Sequence, residues 1–198
     1  MNRHSALLLA AGGSTRLGRP KQLLTTHGVP LVRHIAELLL ETGAERLVVV
    51  TGGAATETGQ ALAGLDSVLV QNDDWKTGMG SSLQCGYRAL GTDPGLLLIA
   101  GTDQPCLTCE HLNTLVRQGE SHTDVVTAYG EEGRGIPVLL SPTTQLRLAD
   151  LRGDTGLRRL WKNGASTPAF LHAPELGFDI DTPEQLEAAI RAGWIDRD

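Results

Sequence analysis

Glycines, cations and carboxylates in this chain cluster just behind apolar runs, and those clusters are where chemistry can happen. The first is Gly12-Gly13-Ser14-Thr15-Arg16-Leu17-Gly18-Arg19-Pro20-Lys21. Glycine-rich backbone presents its amides as a concave donor surface, and Arg16 and Lys21 place positive charge where phosphate oxygens would lie. Gly13 and Gly18 carry Walker A spacing, but Arg19-Pro20 stands where that loop needs Lys and Ser or Thr. The Gly-x-Gly-x-x-Gly of dinucleotide folds is missing as well, which counts against a nicotinamide oxidoreductase. A tight turn with solvated cations would show the same residues, so this loop alone leaves two readings open.

Carboxylates form the second cluster. Asp103 follows an apolar run, with Pro105 stiffening the turn behind it. Asp179-Ile180-Asp181-Thr182-Pro183-Glu184 supplies a further pair two residues apart, able to share one face. Thr182 before Pro183 also opens a helix, so Asp181 reads either as a ligand or as part of a cap. One or two carboxylates are what Mg2+ takes from a protein when substrate phosphates complete its shell. Nucleotidyl transfer asks for little else: the triphosphate held and neutralised, and the attacking oxygen lined up with phosphorus.

These clusters need a frame. Apolar runs at 6–10, 47–51, 67–71, 96–100 and 124–127, with weaker ones at 135–140 and 169–173, read as strands. Several are continuous rather than alternating, the pattern of strands covered on both faces of a parallel sheet. Apolar periodicity predicts helices over 30–42, 56–63, 80–90, 110–118 and 183–192. Alternation of this kind over 198 residues implies one α/β domain spanning 1–198, a mostly parallel sheet in a layered sandwich. Ligands of such sheets sit beyond the C-terminal ends of the strands, which is where the glycines and carboxylates fall.

Composition removes other classes. With 17 Lys+Arg against 23 Asp+Glu and 4% aromatic residues, the chain is a poor general nucleic-acid binder. No apolar run is long enough to span a membrane. Arg3 and His4 ahead of residues 6–11 mimic a signal peptide, but the run is short and reads better as a buried first strand. The cysteines Cys85, Cys106 and Cys109 make no disulfide framework, so a reducing cytoplasm is expected. Cys106-Leu107-Thr108-Cys109, with His111 nearby, has the spacing of a redox pair or half a zinc site. No second cysteine pair accompanies it, and Thr108 reads as an ordinary helix cap.

Taken together, the motifs resemble a known family. Residues Leu9 to Lys21 are similar to the signature Leu-Ala-Ala-Gly-x-Ser-x-Arg-x-Gly-x-x-Lys that opens nucleotidyltransferases of the sugar-nucleotide and molybdenum-cofactor type. The wording is nearest the molybdenum cofactor cytidylyltransferase branch, the MobA-like NTP transferases. The likeness continues through Asn72-x-x-Trp75-x-x-Gly78-Met79-Gly80-Ser81-Ser82-Leu83, Asp103-Gln104-Pro105, Arg134-Gly135-Ile136-Pro137, Gly153-Asp154-Thr155-Gly156 and the aspartates at 179 and 181.

The resemblance implies a Rossmann-like, three-layer fold of the glycosyltransferase A-like type. It implies transfer of CMP from CTP to the phosphate of molybdopterin or its molybdenum form, with release of pyrophosphate. Mg2+ would rest on Asp103 and Asp181, with Asp179 as the alternative partner, while Arg16 and Lys21 hold the triphosphate. Ala10, Ala11, Gly12, Gly13, Gly78, Gly80 and Ser82 would contact the nucleotide, and capping alone is the other explanation for Ser82. Arg134, Gly135, Pro137 and Asp154 would face the phosphorylated pterin. Guanylyl-transferring relatives resemble Ala-Gly-Gly where this chain has Ala10-Ala11-Gly12, which favours CTP over GTP. The alternatives are another nucleotide or phosphorylated acceptor on the same fold, or a non-catalytic cofactor-binding protein. Handover to a molybdoenzyme or its chaperone would be a transient contact.

Overall fold

The computed structural model describes residues 2–119, 123–131, 133–151, 153, 156–161 and 167–197. Strand β1 (His4–Ala10) leads through the glycine loop to a two-stranded hairpin, β2 (Thr25–Thr26) and β3 (Val29–Pro30). Then α1 (Leu31–Glu41), β4 (Leu47–Thr51), α2 (Ala55–Ala61), β5 (Val68–Gln71), α3 (Met79–Leu90), β6 (Leu96–Gly101) and α4 (Cys109–Gln118) alternate. Strands β7 (Val125–Ala128) and β8 (Arg134–Leu140), short α5 (Pro142–Gln145), β9 (Ala169–His172) and α6 (Pro183–Arg191) complete the order.

The seven-stranded sheet has the order β5-β4-β1-β6-β8-β7-β9. All its strands run parallel except β8, which pairs antiparallel with both neighbours. Every strand expected from an apolar run is there, and the sheet is mostly parallel as expected.

Side chains two apart share a strand face, and that rule divides the core. Ala6 and Leu8 of β1, Leu47 and Val49 of β4, and Leu98 of β6 face α1, α4 and α6. Leu7, Val48, Val50, Leu97 and Ile99 point the other way, onto Leu83 and Leu90 of α3 and the turns carrying Leu148, Leu157 and Leu160. Both faces of the central strands are therefore dry, which is why their sequences run apolar without alternation. At about 1.5–3 kcal/mol for each fully buried Leu, Ile or Val, these two layers dominate the stability of the fold. Edge strand β5 is different, with Val68 45% and Leu69 46% exposed. No helix among the described residues is long and apolar enough to cross a membrane.

The parallel strands deliver their C-terminal ends to one rim of the sheet, and antiparallel β8 brings its N-terminal end, Arg134 to Ile136, to the same rim.

Candidate active site

At the centre of that rim an ammonium group sits between two carboxylates. Lys21 Nζ lies 2.7 Å from Asp181 Oδ1 and 3.1 Å from Asp103 Oδ2. Arg16 Nη2 reaches the other Asp181 oxygen at 2.8 Å. Three chain segments meet here because the backbone ties them. Ile180 N–H donates to the Asp103 carbonyl at 3.1 Å, joining the loop after β6 to the segment before α6. The Lys21 amide donates to Ser14 Oγ at 3.0 Å, closing the glycine loop on itself.

Helix capping does not occupy Asp181. Thr182 caps α6 in a reciprocal box with Gln185, whose side-chain oxygen accepts from the backbone N–H of both Asp181 and Thr182. The Asp181 carboxylate is thereby left for the cations. Burial pushes that carboxyl up, but the contacts with Lys21 and Arg16 outweigh it and hold it below the ordinary range. Burial likewise works to discharge Lys21, yet Asp103 and Asp181 prevail and raise it, so it stays cationic. Asp179 has no such help. Burial, then the charges of Asp103 and Asp181, push its carboxyl up to about 7 against the opposing pull of Lys21.

Two cavities flank this centre. One of about 300 Å³ is lined by Ala11, Gly12, Gly13, Lys21, Gly78, Ser82 and Asp103, and also by Leu9, Trp75, Lys76, Met79, Gly101, Thr102 and Ile136. The floor of this cavity is glycine-rich backbone. Gly78 ends the turn before α3 at φ 119°, a conformation that L side chains rarely adopt. Ser82 does not cap its helix. Asn72, itself buried, donates from Nδ2 to Ser81 Oγ at 2.9 Å and Ser82 Oγ at 3.0 Å. The Ser82 hydroxyl therefore receives a hydrogen bond from behind while its residue lines the cavity.

The second cavity, about 290 Å³, is lined by Met79, Asp103, Gln104, Tyr129, Arg134, Gly135, Ile136, Gly156, Leu157 and Asp179. Buried Gln104 ties its walls together, donating to the carbonyls of Ile136 at 3.0 Å and Leu176 at 2.8 Å. The Tyr129 hydroxyl donates to the same Ile136 carbonyl. Arg134 lies over the Phe170 ring, 5.5 Å from its centroid. Asp103, Met79 and Ile136 line both cavities, so the two meet at the carboxylate centre.

Most residues named from sequence converge here, but not all. Ala10 is core, 1% exposed and packed among apolar side chains. Gly80 and Pro137 are buried beside the cavities and line neither. Gly80 instead holds the 153 segment, its N–H donating to the Gly153 carbonyl at 3.2 Å. Asp154 and Thr155 lie outside the described residues. Sequence reasoning gave no role to Trp75, Lys76, Thr102 or Tyr129, and none to the Met79 side chain. Trp75 and Met79 stood inside a quoted motif, which was the available signal.

The Cys-x-x-Cys stretch stands apart from both cavities. Thr108 caps α4, accepting from the His111 amide at 3.2 Å. Burial pushes the thiols of Cys106 and Cys109 up, so both stay protonated at neutral pH. Replacing both by Ser is expected to leave turnover within about a few-fold, as for substitutions remote from reacting groups. Loss of turnover in a steady-state assay would reveal a functional dithiol.

The model of the MobA-like NTP transferase domain matches residues 6–168. The chain belongs to the MobA-like NTP transferase family. It is 32% identical over 193 residues to a nicotine blue oxidoreductase of Paenarthrobacter nicotinovorans, covering 92% of this chain and 94% of that one. Among solved structures it is similar to a Methanothermobacter nucleotidyl transferase, with TM-score 0.83, 26% identity and 98% coverage of both chains. A Mycobacterium tuberculosis protein solved in complex with manganese superposes with TM-score 0.77 and 26% identity, over 96% of this chain and 99% of that one. As a MobA-like NTP transferase the chain is an enzyme of nucleotidyltransferase type, and divalent metal use is typical of this family.

The donor set suits such an ion. Asp103, Asp179 and Asp181 gather three carboxyl groups beside the two cations Lys21 and Arg16, and the charges of Asp103 and Asp181 add to burial in raising Asp179. Carboxylate oxygens favour hard cations such as Mg2+ or Mn2+. Among the described residues, no three His, Cys, Asp or Glu side chains are arranged to ligate one ion. A metal taking one or two carboxylates plus substrate phosphates needs no fuller cage.

Proposed function

We propose that this enzyme transfers CMP from CTP to the terminal phosphate of a pterin cofactor, molybdopterin or its molybdenum form, and releases pyrophosphate. The observation that carries the proposal is the meeting of two cavities at Asp103, one glycine-floored and one walled by Tyr129, Met79, Ile136 and Arg134. The first suits a nucleoside triphosphate. The second suits a flat, polar ring system, with Arg134 offering charge to an anionic group. The oxidoreductase name of one relative belongs to that relative; the loop after β1 here lacks the dinucleotide fingerprint.

Mg2+ would be held by Asp103 and Asp181, and when bound it supplies charge neutralisation along the triphosphate. Lys21 and Arg16 stabilise the charge that develops on the leaving pyrophosphate. The acceptor phosphate oxygen bonds to the α-phosphorus as the bond to the bridging oxygen of pyrophosphate breaks. The acceptor is its own nucleophile, so no Ser or Cys attacks. The reading places the reaction in the cytoplasm, with product handed on in a transient contact to a molybdoenzyme or its chaperone.

Base choice rests on Ala11. Ala11 lines the first cavity while lying 5% exposed against the apolar core, and in this reading its methyl would crowd a purine edge more than a pyrimidine. CTP is expected to exceed GTP in kcat/KM, and Ala11→Gly to narrow the gap, steric terms of this kind being worth about 10- to 200-fold. Pyrophosphate release from each nucleotide with one acceptor measures it. Equal rates, or preference for GTP, would remove the cytidylyl assignment and leave the transferase class standing.

A further inference from the structure

Trp75 is embedded in the wall of the first cavity. A Cβ on Gly13 would lie 2.4 Å from its Cη2 and 2.5 Å from its Cζ3. One on Gly52 would meet its Cγ at 2.9 Å, and one on Gly53 its Cζ2 at 3.1 Å. Glycines from two loops, one after β1 and one after β4, thus make a bed for the indole with no space for a methyl at Gly13 or Gly52. The two loops also touch each other, since the Gly52 Cβ would come 2.5 Å from the Ala11 carbonyl oxygen.

The segment carrying the ring is itself braced. Trp75 opens a 3-10 turn closed by hydrogen bonds from Thr77 N–H to the Asp74 carbonyl and from Gly78 N–H to the Trp75 carbonyl. Asn72 Oδ1 accepts from the Asp74 amide at 3.0 Å, fixing the entry to that turn. Lys76 Nζ lies 5.5 Å from the indole centroid, and both residues line the cavity with Gly12, Gly13 and Lys21.

We propose that Trp75 is a positioning residue for the nucleotide. Its indole pins the phosphate-facing backbone at Gly13 against Gly52 and Gly53, and so sets the depth of the cavity before any ligand arrives. A large ring held by few rotatable bonds does this with little loss of conformational freedom on binding. The effect falls on nucleotide capture more than on the transfer step. It requires only that the chain bind a nucleoside triphosphate, whichever base is preferred.

The test is calorimetric titration of the full-length protein with CTP and separately with GTP, in Mg2+ and without acceptor, alongside kcat and KM. For the nucleotide that wild type binds more tightly, Trp75→Ala should weaken Kd by about tenfold or more, the cost of a loop that must then be ordered on binding. Saturated kcat should stay within a few-fold, and Trp75→Phe should recover most of the affinity. Gly13→Ala should weaken Kd similarly, because its methyl is aimed at the indole. Removing the indole should then relieve that clash, so the double variant binds no worse than Trp75→Ala alone. Multiplying defects in the double variant, or a fall in kcat with Kd unchanged, would overturn the proposal. Should Trp75→Ala lose its cooperative melt, Gly13→Ala carries the test alone, and a wild-type Kd in that variant would overturn it.

Discussion

Lys21→Ala will cut turnover by about 10²–10³ while the protein still folds, the usual cost of removing one preorganised charge from a developing anion. The side chain is 13% exposed and bridges Asp103 and Asp181, so one substitution removes the cation from both of those carboxylates at once. Arg16 touches only Asp181 there and is 70% exposed. Its replacement by Ala should therefore cost less than that of Lys21. Turnover at saturating nucleotide, with a circular dichroism melt to verify folding, measures the loss. A near-normal rate in Lys21→Ala would detach the glycine loop from the chemistry.

Asp103→Asn and Asp181→Asn are each expected to lower activity by about a hundredfold or more, since a carboxylate ligand is worth several kcal/mol of charge stabilisation at a metal. Both should also shift the Mg2+ dependence to higher concentration. The pair is distinguished from Asp179 by geometry: Asp103 and Asp181 face the Lys21 ammonium, whereas Asp179 lines the second cavity. Asp179→Asn keeps its shape and loses a carboxyl that burial already disfavours as an anion. It should be the mildest of these substitutions. A far larger defect in Asp179→Asn than in Asp181→Asn would transfer the ligand role to Asp179.

Much of this site is legible in the sequence because its parts obey local rules. Glycines, cations and aspartates stand directly behind apolar strands, and a parallel sheet brings strand ends to one rim. The central strands β1, β4 and β6 were readable because both faces are buried, which leaves unbroken apolar runs. The hairpin of β2 and β3 escaped notice because each strand has two residues, although His27-Gly28 at its tip takes positive φ as a tight turn demands. Strand β7 begins at Val125 rather than Asp124, whose carboxylate is a polar anchor inside the fold. It accepts from the Ser141 amide, the Thr144 hydroxyl and the Trp161 indole N–H.

Other features depend on contacts between distant segments. Thr182-Pro183 admits two roles for Asp181, and the Gln185 side chain, turning back to cap the backbone, leaves the Asp181 carboxylate out of the cap. Gly80 and Pro137 belong to the resembled motifs, yet they are buried and line neither cavity. Trp75 could not be valued from spacing, since its bed is made of glycines 62, 23 and 22 positions away, at Gly13, Gly52 and Gly53.

Transfer of the α-phosphoryl group is the step on which everything above depends. The decisive measurement incubates the protein with Mg2+, molybdopterin and CTP labelled either at the α- or at the γ-phosphorus. The expected result is acceptor-dependent appearance of the α-label on the pterin and of the γ-label in pyrophosphate, in equal amounts, with both lost in Lys21→Ala. Release of the γ-label as inorganic phosphate with no α-label on any acceptor would contradict nucleotidyl transfer at this site.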